Sequence, residues 1–287
     1  MKKVKRFIPN FLLIVFACLY LFPIYMIFVN SFKSRAEMYE SMITFPSKFS
    51  FKYYQTALRK INFWVAFRNS MILTVVSIFL IVVLCAMAAW VFARKKGKAS
   101  SFWLGLLIAT MLIPFQTIMM PLMQEMNFIE THTGLKMTDS IPGLIFMYIG
   151  FGAGMGVFLY NGFISTIPVA LEEAATIDGA TTPQVFWRIV FPNLKPTTMT
   201  LIILDVIWIW NDYLLPSLTL KAKANRTIPL ATARFFGQYT ISWNEAMAAL
   251  VVTIVPVIIF YLAAQKYIVA VITLVQVSIT KKKEVEM

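Results

Sequence analysis

Charge is scarce in this sequence. Only 14% of its 287 residues are charged, whereas a soluble chain carries roughly a quarter, so a water-soluble globular protein is excluded. Cysteine and histidine are nearly missing as well. Cys18 and Cys85 each lie in an apolar run and read as small buried hydrophobes, which excludes a disulfide framework or a cysteine metal site. His132, the single histidine, reads as a solvated loop side chain. No HExxH, cysteine cluster or Ser/His/Asp set is present, so no catalytic or metal-binding residue is assigned. A GxxxxGK[ST] signature is absent too: Gly97-Lys98 is followed by Ala99, and the chain is not expected to bind or hydrolyse ATP itself. No basic stripe interleaved with aromatics suggests a nucleic-acid groove.

Apolar residues fill the space these leave. They make up 59% of the chain, and the mean hydropathy is +0.74. The expected fold class is an all-α integral membrane protein, one transmembrane domain over residues 1–287. The net charge of +13 fits lysines and arginines that flank spans and face anionic lipid headgroups.

Six spans are expected. Lys2, Lys3, Lys5 and Arg6 precede the first, Phe7 to Val29, which is too long for a signal-peptide core and is read as uncleaved. Ser31 to Phe63 is too polar to span and reads as an ordered external loop. The second span runs from about Asn69 to Phe92 and ends in Arg94, Lys95, Lys96 and Lys98. The third covers about Ser101 to Met120 and is kinked or shortened by Pro114 and Pro121. An external loop from Met123 to Ser140 leads to the fourth, about Ile141 to Phe163. The fifth runs from about Thr197 to Leu218, a polar loop from Leu220 to Trp243 comes next, and the sixth is about Ala246 to Ala264. A tail from about 265 to 287 carries Lys266 and Lys281–Lys283. The densest basic clusters then lie at the two ends and in the Arg94–Lys98 turn, which places both termini inside.

Between the fourth and fifth spans lies Ser165–Pro196, reading STIPVALEEAATIDGATTPQVFWRIVFPNLKP. It is expected to form two short helices, broken at Asp178-Gly179. Thr182-Pro183 reads as an N-cap with a first-turn proline, and Pro192 and Pro196 as the stop. Ala174, Ala175 and Ala180 allow close approach, and Glu172, Glu173 and Asp178 put charge at the edge, the shape of a plug for a groove on a partner.

Glu173-Ala174-Ala175, Asp178-Gly179, Ile189 and Pro192 together resemble the EAA motif of bacterial ABC-importer permeases. The wider run from Glu172 to Pro196 is similar to the maltose-type (MalG-like) sugar permeases. Further likeness runs from Ser31 to Lys266, through IPFQTIMMP at Ile113–Pro121, WNDYLLP, TIPLA near Thr227, WNEAMAA at Trp243–Ala249 and Gln265-Lys266-Tyr267. This resemblance implies a coupling helix on the cytoplasmic side, formed by Glu172, Glu173, Ala174, Ala175, Asp178, Gly179, Ala180, Ile189 and Pro192 and inserted into an ATPase subunit. It also implies a second homologous permease subunit, an extracellular solute-binding protein, a sugar substrate, and a place in a bacterial inner membrane. The tail after Ile268 departs from the family in lacking a glycine-containing ending. Other cargo, such as a polyamine or peptide, and a self-contained secondary transporter or channel are the alternative functions.

Two further groups stand out. Asp205 is an acid deep in the fifth span, a departure from the family pattern, and suits either a substrate path or a pairing across the subunit interface. Trp208, Asn211, Asp212 and Tyr213 come after it, offering aromatic faces and polar groups suited to a sugar, or else an interfacial aromatic belt. Gly150, Gly152, Gly154 and Gly156, more glycine than the family pattern has, read as a small-residue face for close helix packing.

Overall fold

The computed structural model describes the backbone of residues 2–236 and 242–285, and the side chains of residues 9–236, 242–263 and 265. Lys266, Tyr267, the tail lysines and the first basic cluster have side chains outside the described residues. The helices in chain order are α1 (Lys2–Asn30), α2 (Arg35–Glu40), α3 (Lys52–Lys60), α4 (Phe63–Arg94), α5 (Lys98–Ala109), α6 (Phe115–Thr133), α7 (Ile141–Ile164), α8 (Ala170–Ile177), α9 (Thr182–Val185), α10 (Phe191–Asn193), α11 (Lys195–Asn211), α12 (Leu214–Thr219), α13 (Ile228–Thr232) and α14 (Trp243–Val285). No strand occurs among the described residues. Four helices there are long and apolar enough to cross a membrane, and two bent pairs raise the number to six if each pair is one span. The chain is thus a multi-pass, all-α membrane protein.

Two compact units contain these helices, one of residues 1–66 with 228–259 and the other of residues 67–227 with 260–287. In the first, α1 shows an apolar surface from Phe11 to Ile24: Phe11, Leu13, Phe16 and Tyr20 are exposed, as befits a span whose neighbours are lipid or another subunit. Its C-terminal end is tied down instead. The Asn30 amide donates to the Met26 and Met42 carbonyls, each at 2.7 Å, and the buried Lys33 ammonium donates to the Ser41 carbonyl at 2.8 Å. Phe32 packs against Phe49, Phe51 and Tyr54 with ring centroids 5.2 to 5.4 Å apart. The segment after α1 is therefore ordered, as its mixed sequence implies.

A capping box begins α2: Ser34 accepts from the Glu37 amide, and the Glu37 carboxylate accepts from the Ser34 amide at 2.8 Å. The Ser47 hydroxyl also donates to Glu37 and is the main cause of its lowered pKa; the Ser34 amide and hydroxyl add to it, holding the group down from 4.5 to about 2. A depressed folded-state value means that the interaction stabilises fully above 4.5 and is lost as the pH falls through about 2. Melting of the detergent-solubilised chain is expected to lose part of its acid-side slope in Glu37→Gln. An unchanged slope in the variant would show that the box carries no linkage.

In the second unit α7 is the central helix, packed against α5 and α11. A Cβ on Gly152 would meet Ile81 at 2.6 Å, on Gly156 the Cys85 sulfur at 2.7 Å, and on Gly154 the Leu107 carbonyl at 2.8 Å. These three make a close-packing face toward α4 and α5. Gly150 is not part of it, for a Cβ there meets open space.

The two bent pairs correct the third and fifth spans. The axis turns by 111° between Lys98–Leu112 and Phe115–Thr133. The break falls at Pro114, with Ile113 before it extended, as proline demands of its predecessor. Pro121 instead rides inside α6, so most of the loop expected from Met123 onward is helix and only residues 134–140 are irregular. A second turn of 73° separates Thr182–Asn193 from Lys195–Asn211. The fifth straight helix stops at Asn211, well short of Leu218, because Asp212 is extended and accepts from the Leu214 amide at 2.9 Å, and α12 begins anew.

Candidate functional site

Two helical arms form the stretch after α7. α8 ends in a Schellman turn: the Gly179 amide donates to the Thr176 carbonyl at 3.0 Å and the Ala180 amide to the Ala175 carbonyl at 2.9 Å. Gly179 has φ +85°, a conformation costly for any residue with a Cβ. The second arm starts one residue earlier than its sequence suggests. Thr181 is the extended N-cap, Thr182 and Pro183 lie inside the first turn, and the Gln184 side chain accepts from the Thr181 amide at 2.8 Å. Nor does Pro192 end this arm. A π-turn over Phe186–Val190 precedes it, with the Phe191 amide reaching the Phe186 carbonyl, and the chain passes through α10 before bending at the buried Leu194. A wider helical turn accommodates the proline that lacks an N–H.

Glu172 and Glu173 part ways on α8, as residues about 100° apart on a helix must. Glu173 is exposed along with Ala174, Asp178 and Gly179, while Ala175, Ala180 and Ile189 are half-buried and Pro192 is exposed. Glu172 does not lie at the plug's edge: it is 8% exposed and turned inward. Its Oε1 accepts from Arg94 Nε at 2.9 Å and Nη2 at 2.7 Å, and its Oε2 from Trp90 Nε1 at 2.9 Å. Arg94 Nη2 also donates to the Ile167 carbonyl at 3.1 Å. An open cleft of about 950 Å³ runs beside this pair, with Lys96, Pro168, Glu173 and Thr176 on its walls.

Sequence reasoning missed Trp90 as a partner and read Arg94 only as one of a row of flanking cations. Lys95, Lys96 and Lys98 are indeed exposed, but Arg94 is turned in. No local signal marks the difference.

The residues near the end of α11 fall into two sets. Trp208 is 39% exposed and meets Tyr148 edge-on, with centroids 5.4 Å apart. The Tyr148 hydroxyl donates to Asp212 Oδ2 at 2.7 Å, so Tyr148, which no motif flagged, fixes both. Tyr213 is exposed, and Asn211 is exposed but spends its amide on the Ile207 carbonyl at 2.7 Å. Asp205 is the exception. It is 3% exposed, and its Oδ2 makes no hydrogen bond among the described residues. A buried acid with an unpartnered oxygen inside a span is costly and marks a polar interior or a partner.

Residues 81–273 match the family described as "Binding-protein-dependent transport system inner membrane component". Over 269 residues the chain is 44% identical to the probable starch degradation products transport system permease protein AmyC of Thermoanaerobacterium thermosulfurigenes, covering 94% of this chain and 96% of that one. It is 35% identical over 257 residues to the melibiose/raffinose/stachyose import permease protein MelC of Bacillus subtilis, covering 89% and 91%. Among solved structures, a chain of a bacterial ABC transporter involved in the import of the acidic polysaccharide alginate superposes with a TM-score of 0.79 at 23% identity, over 92% of this chain and 96% of that chain. That likeness shows a shared fold.

Proposed function

The chain belongs to the binding-protein-dependent transport system inner membrane component family, and on that premise we propose that it is the permease subunit of an ATP-driven importer for a sugar or oligosaccharide. The observation that carries the cargo class is the level and length of the likeness to AmyC, 44% identity across 94% of the chain, with the saccharide permease MelC beside it. The chain itself performs no chemistry. Hydrolysis belongs to a pair of ATPase subunits, and cargo is delivered by an external solute-binding protein to this chain and a second, homologous permease. Both termini and the α8 loop lie on the cytoplasmic side.

In this reading α8 is the coupling helix. Its outward face, led by Glu173, docks into the ATPase, and closure of the ATPases moves the loop as a lever. The two permeases then rock around a midplane pathway. Trp208, Asn211, Asp212 and Tyr213, with Tyr148 behind them, line or border that pathway. Asp205, buried on the same helix, belongs either to that pathway or to a pairing across the subunit interface.

The test is recovery of the tagged chain from its native cells in mild detergent, with stoichiometric partners identified by mass spectrometry. An ATPase, a second permease and uptake of labelled malto-oligosaccharides, melibiose or raffinose that stops on ATP depletion are the expected results. Recovery of the chain alone, with uptake that tracks an ion gradient, would replace this reading with a secondary transporter. ATP-driven uptake of a polyamine or peptide in place of any saccharide would keep the machine and overturn the cargo.

A further inference from the structure

We propose that Arg94 is a positioning residue that locks the coupling helix to the end of α4, so that movement of the loop is delivered to α4 directly. This inference rests on the permease reading. A loop between α7 and α11 would by chain connectivity pull only on those two helices. The geometry adds a third linkage. Trp90 and Arg94 are four residues apart and so share one face of the last turns of α4. From that face they hold the loop at three points.

At the first point, Arg94 grips the Ile167 carbonyl, on the way into α8. At the second, Arg94 and Trp90 between them occupy both carboxylate oxygens of Glu172, within α8. At the third, the Trp90 ring lies 5.4 Å from that of Phe186, a residue 2% exposed on the returning arm. An exposed ion pair between flexible side chains transmits little, because each partner can swing free. Here the guanidinium holds one oxygen with two N–H groups and the indole takes the other, so the carboxylate has no free rotor, and its residue is buried. The neighbouring glutamates therefore divide the work. Glu173 faces the partner, and Glu172 fixes the helix that carries it.

The experiment uses the assembled importer in proteoliposomes and measures saccharide transported per ATP hydrolysed. R94A and E172Q are each expected to lower that ratio at least about fivefold, and the double variant to lower it no further than R94A alone, since the Arg94–Glu172 contact is lost in both. Recovery of the ATPase with the chain reports folding and docking separately. A clamp with a merely structural role would lower the amount of complex recovered and leave the ratio of the surviving complex at the parental value. That result would overturn the proposal. Should R94A fail to accumulate, W90F removes the indole N–H while keeping a smaller aromatic ring against Phe186, and an unchanged ratio there would overturn it equally. If the unaltered assembly shows no ATP-driven uptake, the permease reading fails first and takes the clamp with it.

Discussion

Replacing Glu173 by Lys is expected to abolish uptake in a chain that still folds and inserts. Glu173 is exposed and forms no ion pair among the described residues, so reversing its charge disturbs little within the chain, and substitutions of that kind change stability by about half a kcal/mol or less. Whatever is lost must be lost at the partner. A charge buried on docking and then reversed costs about 2–5 kcal/mol or more, enough to reduce complex formation by a factor of about thirty to several thousand. Gly179→Pro should do comparable damage by another route. Proline holds φ near −65°, whereas Gly179 sits at +85° and donates its amide to the Thr176 carbonyl, so the turn between the arms must rebuild. Saccharide uptake by membranes carrying each variant, beside immunodetection of inserted protein, separates coupling from folding. Normal uptake in Glu173→Lys would remove α8 from the role of coupling helix.

The second large effect is expected in the interior. Gly154→Val should destabilise the solubilised chain by about 1–3 kcal/mol or more, the usual cost of overpacking a tight contact. Its Cβ would lie 2.8 Å from the Leu107 carbonyl oxygen, and backbone cannot swing aside as a side-chain tip can. Gly152 faces the flexible end of Ile81, so a substitution there should cost less. Gly150→Val is the control, since that site is exposed and open. Thermal unfolding in detergent should show a clear drop for Gly154→Val and none for Gly150→Val. Equal melting of the two would mean that α5 and α7 do not approach as closely as they do here.

Those four glycines also show what a sequence makes legible. Their spacing announces a close-packed face, but the spacing is the same for the pair that includes Gly150, which has nothing opposite it. The long apolar helices were legible from hydropathy, because a span needs little more than length and composition. Breaks within spans were not. Pro114 and Pro121 look alike in the sequence, yet only the first breaks the axis, and the apolar run of the fifth span continues through Leu214 and Leu215 although the helix has ended at Asn211. At the site, the turn at Gly179 was legible because only glycine adopts that φ cheaply. The inward turn of Glu172 was not, since its phase is set by Arg94, a residue 78 positions away.

Side-by-side glutamates with opposite orientations also constrain how this segment can change in length. The grip on Ile167 anchors the helix from its beginning, and each residue gained or lost rotates the remainder of α8 by about 100°. A one-residue deletion among 168–171 would seat Glu173 in the inward slot and bring Ala174 to the outer face. The clamp would survive and the docking charge would vanish. An insertion there would send Glu172 outward and set Leu171 against Arg94. Either event leaves both glutamates in the chain and its hydropathy nearly the same. If α8 is the coupling helix, length across 168–171 matters more than composition, and a shift of a single helical step is expected to disconnect the loop.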